Sequence, residues 1–406
     1  MRSFWNLYAF FYDSLRHLLP YQELMARAVK ALNIKKDGLR ILDAGCGTGN
    51  FAEFLAKSIN HKVCLDAVDA SSVMLKRARK KLGKYGWVKT CFSDLNSPLP
   101  YADGTFDGIV CLNTLYALKD SEKTLKEFQR VLKFGGLLVL ANPKENPRVL
   151  DAIYEHYKKA TRPGQYIIPL FFLPIILCNL LIKRWGQKRK YHFLNPQTLE
   201  GLFKRTGFRV LESDNVYGNT AVILTATKVL LVRDTSGVEL EVTMAHTEND
   251  FSSIYGLRYK VYCEEKKYLD PKEYPKKLES DLYDNYSAHI VVRLSEEIVG
   301  TMRLIKDNPH GFLIEEAFSL PPTIDRIKTI EHSRAVVKKE YRRNGLFAIM
   351  TEIGYIWQKE RGYDICVGAA AARVKIILDS LGWKPFGDTK NYHNASITPM
   401  FFCLKK

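Results

Sequence analysis

The 406-residue chain is 46% hydrophobic, 26% charged and 12% aromatic, which excludes a disordered or low-complexity chain and leaves room for two globular domains, each with its own core. Its 8 cysteines form no Cys-x-x-Cys pair and no metal-like Cys/His spacing, which argues for free thiols in a reducing compartment and against a disulfide framework or a metal site. The net charge of +17 is lopsided: residues 1–228 hold 35 Lys/Arg against 19 Asp/Glu, and residues 229–406 hold 26 against 25, so a basic face suited to nucleic acid or acidic phospholipid belongs to the first half.

At the start, Phe4, Trp5, Leu7, Tyr8, Phe10 and Phe11 form an apolar patch, but Asp13 and Arg16 interrupt it, so no cleavable signal is read there. Arg40–Leu42 is a short strand entering the loop Asp43-Ala44-Gly45-Cys46-Gly47-Thr48-Gly49, and Phe51–Lys57 follows as a helix. Lys62–Val68 is the next strand, ending at Asp69, and Ser72–Leu82 reads as a basic amphipathic helix. Strand Phe106–Leu112, helix Ser121–Leu132 and strand Gly136–Ala141 continue the alternation, and helix Pro196–Thr206 with strands Arg209–Ser213 and Asn219–Lys228 closes it in a hairpin. The alternation predicts an α/β fold with a parallel, doubly wound sheet.

An insertion spans roughly Asn142–His192. Ile167–Ile182 carries no charge, contains Pro169 and Pro174, and is followed by Lys183, Arg184, Lys188, Arg189 and Lys190. It is shorter than the ~20 residues that a membrane-crossing helix needs. Its basic flank suits a segment lying in the membrane interface, the alternative being a buried lid over the first domain. Beyond a boundary near Lys228–Glu239 the pattern becomes α+β: strands Val238–Ala245, Ala288–Leu294, Ile298–Ile305 and Thr329–Val337, helix Gly345–Arg361, strand Ile365–Ala369 and a short helix to about Leu381. The domains are therefore read as 1–228 and 229–406.

Gly45, Gly47 and Gly49 let the backbone turn and approach a ligand at a helix start, and Asp69, at the end of the following strand, suits ribose hydroxyls. Dinucleotide loops run Gly-x-Gly-x-x-Gly, whereas these glycines alternate. With Val68-Asp69, Ser71, Met74, Ser93-Asp94-Leu95 before Leu99-Pro100, Phe106-Asp107 and Leu132-Lys133-Phe134-Gly135-Gly136, residues 38–228 resemble the class I S-adenosylmethionine-dependent methyltransferases, especially the branch that includes quinone and phospholipid methyltransferases. The resemblance implies a Rossmann-like domain in which Asp43, Gly45, Gly47 and Gly49 face the methionine part of the cofactor, Asp69 the ribose, and Asp94 and Leu95 the adenine. Asn113, Tyr116 and Tyr21 are candidate substrate-facing groups. Leu112-Asn113-Thr114-Leu115-Tyr116 stands where nucleic-acid amine methyltransferases carry an Asn/Asp-Pro-Pro-aromatic motif, which disfavours nucleic acid as partner.

In the second half Arg258 is followed by Tyr262, Tyr268, Asp281, Asp284, Arg303, Glu331 and Arg334. Over residues 240–400 this order is similar to the acyl-homoserine-lactone synthases and the related N-acyl amino acid synthases of the GNAT acyltransferase fold, with Tyr262 for Phe and Tyr268 for Trp. An amine must lose a proton to attack a thioester, so a carboxylate in a partly desolvated cleft can act as base, and Glu331 is the candidate. Asp281 and Asp284 are read as holding the amine. Arg258, Arg303 and Arg334 complete the catalytic set, Arg258 and Arg334 by orienting those acids or holding a carboxylate. Arg342-Arg343-Asn344-Gly345 before a helix resembles the GNAT pyrophosphate loop, assigning Arg342 and Gly345 to acyl-donor binding. Phe347 replaces a small residue there, which suits an acyl carrier protein better than coenzyme A. His289, His310 and His332 are isolated and read as structural or surface residues.

The expectation is a bifunctional enzyme that uses S-adenosyl-L-methionine and an acyl carrier protein or acyl-CoA thioester, without a metal, to make a methylated acyl-amine from an amine-bearing lipid or amino acid. It would sit on the cytoplasmic side of an anionic membrane, peripherally. The alternative is a lipid or quinone methyltransferase whose C-terminal domain only binds acyl groups or a carrier protein.

Overall fold

The computed structural model describes residues 2–145, 148–167, 172–187, 191 and 193–404. Two compact units divide the chain, Met1–Lys228 and Val229–Lys406.

The first unit opens with α1 (Arg2–Tyr12) and α2 (Leu19–Ala31), then runs β1 (Arg40–Ala44), α3 (Asn50–Ser58), β2 (Cys64–Asp69), α4 (Ser72–Leu82), β3 (Val88–Phe92), β4 (Phe106–Leu112), α5 (Ser121–Val131) and β5 (Leu132–Pro143). After α6 (Val149–Lys159), α7 (Pro163–Ile167), α8 (Leu173–Gln187) and α9 (Pro196–Arg205), it ends in β6 (Phe208–Val216) and β7 (Ala221–Lys228). The sheet order is β3-β2-β1-β4-β5-β7-β6. Strands β1 to β5 pair in parallel, and β7 lies antiparallel between β5 and β6. Strands β4 and β5 are buried along most of their length, as their unbroken apolar runs require of a sheet covered on both faces. Local chemistry starts the helices: Ser71 accepts the Met74 amide at 3.2 Å to cap α4, and Asp120 accepts the Lys123 amide at 2.9 Å to cap α5.

Helix α5 stops at Val131 because Leu132 already opens β5, one residue earlier than the periodicity predicts. Strand β3 and helices α1 and α2 have no counterpart in the sequence reading. Of the insertion, Pro169, Lys188, Arg189, Lys190 and His192 lie outside the described residues. Among the described residues no helix is long and apolar enough to cross a membrane.

The second unit contains β8 (Leu230–Arg233), β9 (Glu239–Met244), α10 (Glu248–Tyr259), β10 (Ser287–Leu294), β11 (Glu297–Lys306), β12 (Thr329–Val337), α11 (Leu346–Lys359), β13 (Ile365–Ala371), α12 (Ala372–Ser380), β14 (Lys384–Pro385), β15 (Lys390–Tyr392) and β16 (Ala395–Cys403). Its sheet runs β14-β16-β13-β12-β11-β10-β9-β8, with β15 on β16. Every pairing is antiparallel except that of β12 and β13. Those two strands are in register only from Thr329↔Ile365 to Glu331↔Val367, although both run on. At Gly368 they are still so close that a Cβ would lie 2.8 Å from the His332 carbonyl oxygen.

Candidate functional sites

In the first unit a cavity of about 500 Å³ lies against the loop between β1 and α3. Gly45, Gly47 and Gly49 all hold positive φ, +80°, +54° and +79°. A Cβ on Gly45 would sit 2.4 Å from the Thr114 side chain, so the turn there admits only glycine. The Gly47 amide donates to Asp69 Oδ2 at 2.9 Å and the Ser71 amide to Asp69 Oδ1 at 2.7 Å, which fixes this carboxylate at the cavity wall. Asp94 is fixed by the Asn96 amide at 3.0 Å.

Gly45, Gly47, Asp69, Asp94 and Leu95 line the cavity together. Asp43 and Gly49 do not. Gly49 instead makes room for Leu82, whose Cδ1 would lie 2.7 Å from a Cβ. Asp43 is 3% exposed, its Oδ2 has no hydrogen-bond partner, and burial, reinforced by Asp69, pushes its carboxyl up to about 8. An orphaned buried carboxyl beside a glycine turn fits a ligand that brings positive charge, as a sulfonium- and ammonium-bearing cofactor does.

The rest of the cavity is aromatic and aliphatic. Trp5, Tyr8 and Tyr12, at i, i+3 and i+7 of α1, and Ile175, Asn179 and Ile182, at i, i+4 and i+7 of α8, roof it. Tyr8 O–H donates to Asn179 Oδ1 at 3.3 Å, and the Phe4 and Trp185 rings meet edge-on at 4.7 Å. The insertion thus supplies a lid. Asn113 and Tyr116 line the chamber, and Asn113 Nδ2 donates to the Tyr217 oxygen at 3.3 Å. Tyr21 does not line it; its oxygen accepts from Asn50. Burial pushes Tyr21 up to about 12 and raises Tyr12, Tyr116 and Tyr217 as well, so these phenols stay neutral.

In the second unit the charged residues read in sequence meet in one buried network, with a member the sequence reading missed, Glu279. The fully buried Arg258 guanidinium donates through Nε to Glu279 and by two contacts, 2.7 and 3.2 Å, to Asp284. Arg303 donates to Asp281 at 2.6 Å, to Ser333 at 3.0 Å, and lies 3.1 Å from Asp284. Arg334, in a β-strand yet at φ +49°, donates to Glu279 at 3.0 Å and to Asp281 at 3.3 Å. Three arginines and three acids are thereby tied together. Burial opposes the charge of Asp284, but Arg258 and Arg303 outweigh it and hold the carboxyl well below the usual range. Asp281 and Asp284 are thus both engaged by arginines. The π-helical turn Lys260–Glu265 sits beside the network, where Tyr262 donates to the Ala335 carbonyl at 3.2 Å and lies under Arg334. Tyr268 lies near it, with ring centres 6.2 Å apart.

Glu331 is 2% exposed, and its Oε2 accepts the Ile314 amide at 3.2 Å. Burial pushes its carboxyl up to about 7 against the pull of that amide and of Arg303 and Arg334. It sits at the last register pair of β12 and β13. Arg342 braces the loop by donating to Val337 O at 2.8 Å and to Glu265 at 2.5 Å, and Gly345 opens α11 at φ +78°. Asn344 is pinned by Asp234 and Thr235. Phe347 packs against the cluster of Cys366, Ala370 and Leu378. Burial drives His289 down to about 3 and His332 down to about 4, His332 lies 3.3 Å from Gln358, and His310 is exposed. Among the described residues no His/Cys/Asp/Glu group is arranged to hold a metal.

Residues 4–228 match the model of the ubiE/COQ5 methyltransferase family, and residues 257–352 match that of the acetyltransferase (GNAT) domain. The demethylmenaquinone methyltransferase of Staphylococcus saprophyticus is 27% identical over 216 residues, 52% of this chain and 89% of that protein. The Staphylococcus aureus enzyme of the same name is 27% identical over 201 residues, 48% of this chain and 80% of that one. A solved S-adenosylmethionine-dependent methyltransferase from Aquifex aeolicus aligns at 22% identity and a TM-score of 0.37, covering 53% of this chain and 92% of that one.

Proposed function

The chain belongs to the ubiE/COQ5 methyltransferase family and carries a GNAT domain after it, and from that premise we propose that its two activities build one molecule, an amine that is both fatty-acylated and methylated. The observation that carries this reading is the chamber beside the glycine loop. Its walls are largely apolar, with Asn113, Asn179, Tyr217 and Thr220 among its hydrogen-bonding groups, which suits an acceptor of lipid character. S-adenosylmethionine supplies an electrophilic methyl group when bound. Gly45, Gly47, Asp69, Asp94 and Leu95 would hold and orient that cofactor, a bound cation would draw the buried Asp43 toward its ionised form, and the roof of α1 and α8 excludes water from the acceptor.

In the second unit the acceptor nitrogen attacks the thioester carbonyl carbon. The C–N bond forms, the C–S bond breaks, and the amine proton passes to the Glu331 carboxylate, directly or through a water, and from there to the departing thiolate, which leaves as the thiol. The N-acyl amino acid synthase-like order of Arg258, Asp281, Asp284, Arg303, Glu331 and Arg334 supports this assignment, with an acyl carrier protein or acyl-CoA as donor, Arg342 bracing the donor loop and Gly345 opening α11 behind it. The work is done on the inner surface of an anionic membrane. Incubation with S-adenosylmethionine, acyl thioesters and amino acids or aminolipids, followed by mass spectrometry, tests the reading. Product carrying both groups is expected, and product acylated equally well by Glu331→Gln overturns the catalytic assignment.

One observation favours a second reading. Asp281 and Asp284 are already engaged by arginines, which fits a C-terminal domain that only binds acyl groups or a carrier protein. Methyl transfer without thiol release from any acyl thioester selects it.

A further inference from the structure

Helices α1, α6 and α8 are apolar on two faces. Inward, Tyr8 of α1, Ile153 of α6 and Ile175 of α8 line the cofactor cavity. Outward, α8 shows Leu177, Leu180 and Leu181 to solvent at 54%, 47% and 45% exposure, on the stripe that Arg184 continues. Helix α6 shows Leu150 and Tyr154, and α1 shows Leu7 and Phe10. A helix at the surface of a water-soluble fold turns a polar face outward; one that is apolar all round has a second apolar neighbour. The distribution is specific. Among the described residues of the first unit, 11 large apolar side chains are exposed, and all but Phe92 lie on α1, α6, α7 and α8. The charge is specific too, since residues 142–192 hold 10 Lys/Arg against 3 Asp/Glu, and Lys158, Arg162 and Arg184 are exposed.

We propose that the outer face of α1, α6 and α8 docks on a bilayer containing anionic phospholipid, so that the roof of the cofactor cavity is also the membrane-binding surface and the methyl acceptor enters the chamber from the bilayer. The proposal deepens the membrane reading of the proposed function by assigning its surface, and it rests on that reading only for the identity of the acceptor. Leucines without charge would bind any apolar partner, and lysines and arginines without leucines would bind nucleic acid as well. Interleaved on short helices that do not span, they match the boundary between acyl chains and acidic headgroups. Because each helix places inner and outer stripes on one rigid rod, a bilayer holding Leu177 and Leu181 also restrains Ile175 and Asn179 over the cavity.

Flotation of the full chain with phosphatidylglycerol/phosphatidylcholine vesicles tests this. Leu177→Glu with Leu181→Glu changes exposed side chains only, and the pair is expected to weaken binding about tenfold or more, as is Arg184→Glu with Leu180→Glu. Ile327→Glu, equally apolar and 75% exposed but in the second unit, is expected to float like the unaltered chain. Calorimetric binding of S-adenosylmethionine is expected to be unchanged in all of them, which shows that the fold is intact. Hydrogen exchange in α1, α6 and α8 is expected to slow on adding acidic vesicles. Roof variants that float normally, equal binding to pure phosphatidylcholine, or binding to RNA in place of vesicles each overturn the proposal. If roof-dependent flotation holds while no lipid is methylated, the docking face stands and the proposed function falls.

Discussion

Glu331 is a carboxyl held where ionisation is costly, and its position sets two opposite pH dependences. With Glu331 as the proposed base, acyl transfer is expected to climb with pH through about 7, and a rate profile of Glu331→Gln is expected to lack that limb and to run about 10²–10⁴-fold lower. Stability runs the other way. The folded-state pKa is raised, so the contribution of Glu331 is fully present below the usual carboxylate range and is lost as pH rises through about 7, which unfolding midpoints across that interval check. Glu279 makes a different prediction. It joins Arg258 to Arg334 with no exposure to solvent, so Glu279→Ala leaves surplus positive charge in the interior and is expected to cost about 3–5 kcal/mol by denaturant titration, while Glu279→Gln, which keeps the shape, recovers only part of it. The two residues differ in legibility. Glu331 stands in a motif with Arg334, whereas Glu279 lies two residues before Asp281 with nothing local to distinguish it from a surface acid; only the fold brings Arg258 and Arg334 to it from opposite directions.

At the scale of elements, the glycine turn was open to sequence reasoning because its chemistry is local. Alternating glycines, a preceding apolar strand and Asp69 fit one backbone path. Gly45→Ala is expected to abolish S-adenosylmethionine binding by titration calorimetry, since the added methyl group would overlap Thr114, with far-UV circular dichroism unchanged. Strand β3 was not legible because its five residues, including Lys89 and Thr90, are half-exposed at the sheet edge and show neither alternation nor an apolar run. The roof was half legible. The apolar segment and its basic flank stand out in the sequence, but which side of α8 faces the cavity depends on α1, more than 160 residues away. The N-terminal apolar residues read as one patch, whereas the fold divides them, with Trp5 and Tyr8 inside and Leu7 and Phe10 outside.

At the scale of the molecule, two compact units with separate sheets predict two separable unfolding events. In calorimetry of the full chain, S-adenosylmethionine at about a hundredfold excess over its dissociation constant is expected to raise one transition by roughly 5–10 °C and leave the other in place, and an acyl thioester is expected to do the reverse. The roof has one more consequence, which concerns time. Tyr8 and Asn179, hydrogen-bonded across it, are 171 residues apart in the chain. At ribosomal rates α1 emerges roughly 10–30 s before α8 is made. For that interval α1 has no α8 to close against, and the roof closes only once α8 has been made.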